Sequence, residues 1–282
     1  MMRKWNGLLA LMLCAGVALA GNKEGGVSSQ IEASMLVKGT IEVDAQGQVA
    51  HYTLANEASL PPPLLAIVDR RIRAWRFQPL LLDGYPARVN SPMQVRLVTK
   101  RDGEKFLFRI AGATFGTSHA ADEVPTPNGS LAKPRYPEYA YTSNVGGTVY
   151  LVVRIGRDGS VEDAMPEQVN LRSLGSEREM ARFREILADS SIAVSRKWKF
   201  NYPTRGEWAS APFVSARVAI EFLALDMPSE RTGKWMTYVP GPRQIVPWRD
   251  RDAAYQGPDA IAIDGVYPDD PKALRLLEGV DG

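Results

Sequence analysis

The chain is 282 residues long and 45% hydrophobic, enough for one larger core or two small ones. With Arg3 and Lys4 set aside in a removable leader, 32 basic residues face 32 acidic ones. That balance gives no electrostatic reason to seek nucleic acid, which is held through clustered Lys and Arg. The single cysteine, Cys14, would leave with the same leader, which excludes disulfides and thiolate chemistry from the mature chain.

Residues 1–20 read as a secretory signal peptide. Arg3 and Lys4 form its basic start, Leu8 to Leu19 its apolar run, and Ala18-Leu19-Ala20 a small-x-small cleavage site. The run is short of the roughly 20 residues a helix needs to span a bilayer. A lipoprotein reading would use Cys14, but Leu13 before it is bulky where such sites take a small residue. An exported chain that folds without disulfides fits the periplasm of a bacterial envelope. An uncleaved leader would instead anchor it in the inner membrane, the one route to membrane association.

From residue 21 onward the elements follow in order. TIEVDAQGQVAHYTL at 40–54 alternates apolar and polar residues and breaks at Gln46-Gly47, the pattern of a hairpin. After Pro61-Pro62-Pro63, the residues Leu64, Val68, Ile72 and Trp75 recur at helical spacing. MQVRLV at 93–98 reads as a strand, and EKFLFRI at 104–110 adds another. Residues 118–132, rich in turn formers, form a linker between domains at 21–117 and 133–225. TVYLVVRIGRDGSVEDAM at 148–165 is a second hairpin, turning at Asp158-Gly159, where glycine takes positive φ without cost. Ser176 and Glu179 have capping-box spacing. Met180, Phe183, Leu187, Ser191, Val194 and Trp198 then share one helical face. ARVAIEF at 216–222 is the next strand. The tail, 226–282, holds seven of the 20 prolines together with Trp235 and Trp248, and is expected to lie extended and partly docked on a domain.

RAWRFQP at 73–79 and RKWKFNYP at 196–203 expose a repeat. At that offset Trp75 meets Trp198, Phe77 meets Phe200, Gly84-Tyr85 meets Glu207-Trp208, and Val95 and Leu97 meet Val218 and Ile220. Each copy is strand–strand–helix–strand, so the expected fold class is α+β with two tandem units. The first copy is expected to be degenerate, with the shorter first strand. Basic residues beside each tryptophan complement the C-terminal end of the helix dipole, so the aromatic pairs read as structural joints.

No constellation asks for catalysis, so the chain is expected not to be an enzyme and to take no cofactor. His51 and His119 lie in unlike places without metal-ligand spacing. There is no Gly-x-Ser-x-Gly elbow and no phosphate-cradling glycine loop. Asp158-Gly159-Ser160 lacks the spaced oxygen ligands of a calcium loop. Glu177, Glu179, Arg182 and Arg184 read as a solvated helix face.

The run KPRYPEYA at 133–140, Gly146-Gly147-Thr148-Val149, the Asp158-Gly159 turn, the capped helix and RKWKF at 196–200 together resemble the C-terminal domain of TonB-family energy transducers. The resemblance covers about 133–222. The first copy, about 35–100, is similar but lacks the Tyr-Pro-x-x-Ala entry. The resemblance implies a periplasmic docking module that takes the TonB box of an outer-membrane transporter, or another envelope protein, as an added strand beside its last strand. Here that strand matches Val214, Ala216, Val218 and Ile220, with the entry motif at Pro134, Arg135, Tyr136 and Pro137. Main-chain bonds would supply affinity there, unless the tail or the other repeat covers the edge. An energy transducer also needs an uncleaved anchor and a long proline-rich spacer before the domain; this chain carries its prolines after it. The second expectation is therefore a non-transducing envelope scaffold with no transporter contact.

Overall fold

Asp44 shapes the first turn: its carboxylate accepts hydrogen bonds from the Gln46 and Gln48 amides, both at 2.9 Å, while Gly47 supplies φ 79°. This closes Glu32–Val43 (β1) onto Val49–Leu54 (β2) as the first hairpin. The computed structural model describes residues 30–278 apart from 56, 83, 117–118, 250–259, 264 and 271. The leader expected at 1–20, with Cys14, lies outside the described residues. Pro62–Ala74 (α1) follows, burying Leu64, Val68 and Ile72, and Trp75 is its C-cap. A small hairpin, Leu81–Leu82 (β3) with Tyr85–Pro86 (β4), leads to Val89–Asp102 (β5), which runs antiparallel to all of β1. Lys105–Phe115 (β6) then pairs with β5, the added strand expected there.

Beyond Thr126–Pro127 (β7) and Glu138–Thr142 (α2), the second half repeats the order. Gly147–Gly156 (β8) and Val161–Leu171 (β9) form a hairpin, and Glu177–Ser195 (α3) packs on it. Phe200–Asn201 (β10) pairs with β7, and Phe213–Phe222 (β11) pairs with β8 along its whole length. Both halves are thus strand–strand–helix–strand, in an α+β chain. One sequence expectation is corrected: β1 has 12 residues and β8 has 10, so the first copy has the longer opening strand. Its residues from Glu32 to Leu36 extend it to meet the far end of β5 and part of the tail.

The capping box forms as expected. The Ser176 hydroxyl accepts from the Glu179 amide, and the Glu179 carboxylate accepts from the Ser176 amide at 3.0 Å. The hydrogen bonds from Ser176 hold the Glu179 carboxyl below its usual range. A depressed folded-state value means the stabilisation is present above the unfolded value and fades as pH falls through the folded one. Ser176→Ala is expected to cost about 1 kcal/mol at neutral pH, read from the urea midpoint, with the difference from the parent shrinking on acidification.

Each half has its own core. Met35, Val37, Ile41, Ile72, Trp75, Phe77 and Val95 fill the first; Val149, Leu151, Leu187, Trp198, Phe200 and Val218 fill the second. The repeated motifs meet inside these cores in the same way. The Phe77 amide donates to the Gly47 carbonyl and the Phe200 amide to the Gly159 carbonyl, both at 2.8 Å. Gln48 bridges Arg76, and Ser160 bridges Lys199. The Trp-x-Phe motif therefore clamps the hairpin turn of its own half. Trp198 also donates from Nε1 to the Ala132 carbonyl at 2.8 Å. The alignment of Tyr85 with Trp208 does not carry into space: Tyr85 is exposed in the small hairpin, whereas Trp208 is buried.

The tail is docked at two places. Met236–Tyr238 (β12) adds to β1 on the edge that it shares with β2, and Val266–Pro268 (β13) adds to β11. Between the sheets, buried Arg96 donates to Glu230 at 2.8 Å, and the Glu230 amide donates to Glu221. Ile261 packs on Tyr150 and Ala219. Tail residues thus fill space between the two halves.

A candidate strand-docking edge

Strand β11 is central to its own sheet. One edge pairs with β8, from Phe213 opposite Gly156 to Phe222 opposite Gly147. The other edge, expected to receive a partner, holds β13: Ala216 opposite Pro268, Arg217 opposite Tyr267, and Val218 opposite Val266. An additional bridge joins Ala219 to Ile263, and the Asp269 amide donates to the Ser215 carbonyl at 2.8 Å. The edge is a strand acceptor, and the chain's own tail occupies its middle.

The side chains of the four expected edge residues do not lie at the surface. Val214, Ala216, Val218 and Ile220 are all buried, the last three in the core beneath α3. What β11 presents along this edge is backbone. The alternate residues Ser215 and Arg217 are buried on the opposite face.

The entry motif lies close by and is mostly structural. Tyr136 donates from its hydroxyl to the Val145 carbonyl at 2.7 Å and meets Phe222 edge-on at 5.5 Å, touching the end of β11. Burial raises the Tyr136 phenol above its ordinary value. Pro137 caps α2, Ala140 is fully buried, and the Arg135 carbonyl accepts from Ser190 at 2.6 Å. Pro134 is half-buried, and the Arg135 side chain is exposed.

An ion network unread in the sequence pins β13 in place. Glu167 on β9, 2% exposed, accepts from Arg249 at 3.0 Å and from Arg243 at 3.2 Å. Arg249 also forks onto Asp269 at 2.7 and 2.8 Å. Burial alone would lower the Arg249 guanidinium, but Asp269 and Glu167 outweigh it and hold it above its ordinary value. Arg217 lies among the same charges, and burial lowers it. No spacing signal links residues 82 positions apart, as Glu167 and Arg249 are.

The two histidines stay apart. His51 is exposed on β2, whereas His119 bonds Asp270 at 2.7 Å and lies against Trp208. Arg184, expected on a solvated face, is half-buried and donates to the Pro240 carbonyl at 3.2 Å. Among the described residues no group of three or more His, Cys, Asp or Glu is placed to hold a metal, and no helix is long and apolar enough to cross a membrane. In comparisons with known proteins, no family model, curated protein or solved structure matches the chain.

Proposed function

We propose that this is a periplasmic, TonB-like docking protein that takes an extended segment of an envelope protein, an outer-membrane transporter, as an added strand on the outer edge of β11. The observation that supports the reading is the seating of β13 on that edge: a foreign strand of the same length would find the same backbone groups. The tandem strand–strand–helix–strand order and the entry motif at Tyr136 and Pro137 agree with the TonB-like resemblance. β13 acts as a placeholder. It offers three residue pairs, each backbone bond contributing about 0.5–1.5 kcal/mol net, and a partner strand running the length of β11 has more such bonds to make. The proline-rich stretch, which follows the second half and does not precede it, favours an accessory that docks over a motor that transmits force.

The test is a titration of the chain without residues 1–20 by a TonB-box peptide, followed by backbone amide shifts. Docking shifts residues 214–222 and releases the protected amides of Tyr267 and Asp269 together. No change along 214–222 at millimolar peptide sinks the reading. That outcome would favour the second one, a closed envelope scaffold without transporter contact. The tail favours this alternative, since β12 holds β1 and β13 holds β11 in the same molecule.

A further inference from the structure

A cavity of about 750 Å³ opens between the two sheets and the tail. Its size falls within the range of small-molecule sites, which bury a ligand between apolar walls and a few polar groups. Gln94 and Thr114 from the first sheet, Ser215 from β11, and Trp248 and Tyr267 from the tail line it, with Trp208 beside them. Four of these residues carry a buried polar atom with no hydrogen-bond partner among the described residues: Gln94 Oε1, Thr114 Oγ1, Ser215 Oγ and Trp248 Nε1. Thr114 and Ser215 are each only 9% exposed. Buried polar atoms in folded chains nearly always have partners, so four on the wall of one cavity call for a common explanation.

Their chemistry narrows the guest. The amide oxygen only accepts, the indole N–H only donates, and each hydroxyl does both. Groups that donate and accept at once, which is to say hydroxyls, match this set. The hydroxyls of Ser215 and Thr114 turn toward a guest by rotation about one side-chain bond. The wall charges are already engaged: Arg249 with Asp269, and His119 with Asp270. Arg217 lies in the field of Glu167 and Asp269. A charged ligand would have to break these pairings, whereas a neutral one leaves them whole. The rings of Trp208, Trp248 and Tyr267 offer apolar surface to the C–H face of a sugar ring.

We infer that the cavity is a binding site for a neutral, hydroxyl-rich molecule of one or two sugar rings. The cavity borders the β11 edge, sharing Ser215 and Tyr267 with β11 and the β13 strand seated on it, but the inference does not rest on the docking reading. The chain without residues 1–20 is titrated with D-glucose, D-galactose and maltose to 100 mM, with D-gluconate as the charged comparison. The indole N–H resonances are followed, and Trp248→Phe identifies the one from Trp248. At least one neutral sugar is expected to shift that resonance with a Kd below 10 mM. The double substitution Ser215→Ala with Thr114→Val weakens binding at least tenfold while the thermal midpoint holds. Trp248→Phe, which removes one donor and keeps an aromatic ring, weakens binding on its own, read at the Trp208 indole N–H, and serves if the double variant does not fold. No shift with any neutral sugar overturns the inference. So does binding that neither variant weakens, or gluconate binding more tightly than the neutral sugars.

Discussion

Gly159→Ala is expected to destabilise the second half by about 3–4 kcal/mol, while Gly103→Ala costs only about 1–2 kcal/mol. Both glycines have positive φ, at 75° and 59°, so both substitutions force an L side chain into the left-handed region. They differ in what the new methyl meets. At Gly103 it finds nothing within 4 Å; at Gly159 it would stand 1.9 Å from the Phe200 carbonyl oxygen. That carbonyl cannot retreat cheaply, because the Phe200 amide is bonded to Gly159 itself. The clamp between turn and Trp-x-Phe motif must open. Gly47→Ala should behave like Gly159→Ala, since its added methyl would lie 2.0 Å from the Phe77 oxygen. Urea unfolding of the three variants, with tryptophan fluorescence and amide exchange to separate the halves, provides the check. Equal costs at Gly159 and Gly103 would mean that the clamp contributes nothing.

Glu167→Ala is expected to cost about 3–5 kcal/mol, the usual consequence of removing one partner of a buried ion pair. Arg249 would then keep only Asp269 of its two carboxylate partners, Arg243 would lose its bond to Glu167, and Arg217 would lose a nearby negative charge. Glu162→Ala is the comparison. Its pair with Arg154 has a similar 2.9 Å contact but both side chains are more than a third exposed, so the loss should stay below about 1 kcal/mol. The difference is readable from chemical denaturation, and it has a local signature. Arg249 ties Glu167 to Asp269 one residue after β13, so the variant should speed hydrogen exchange at Tyr267 and Asp269 more than at β8. If β13 is the placeholder proposed above, the same variant binds the TonB-box peptide more tightly than the parent. Exchange unchanged at Tyr267 and Asp269 would show that the network does not hold the strand.

Much of each half was legible because its signals are local. Asp158-Gly159 between alternating runs, Ser176 with Glu179, and Leu64, Val68 and Ile72 all act within a few residues of one another, and each formed the element expected. The repeat was legible because the clamp needs the same two parts twice, a turn glycine and a Trp-x-Phe. Extending that alignment to Tyr85 and Trp208 failed, since the loops after the clamp answer to different surroundings. The occupied edge of β11 was raised only as one of two possibilities. β13 has three residues and ends in proline, too short for alternation to show in the sequence. Its place is set by Arg249, Glu167 and Asp269, drawn from three separate segments. Such a network comes together only in the folded chain.

The two tail strands also set the order in which the molecule can be completed. Tyr238 reaches back to Glu32 across 206 positions, and β13 arrives only when nearly the whole chain is present. Contacts of such long sequence separation form slowly, because loop closure must precede any gain from the pairing. Until then both sheets carry raw backbone on β1 and β11. A chain synthesised from its N-terminus therefore passes through a stage in which its halves are built and its edges are not. During that stage a tail from a neighbouring copy finds the same vacancies as its own, so protein concentration decides between a closed monomer and an exchanged pair.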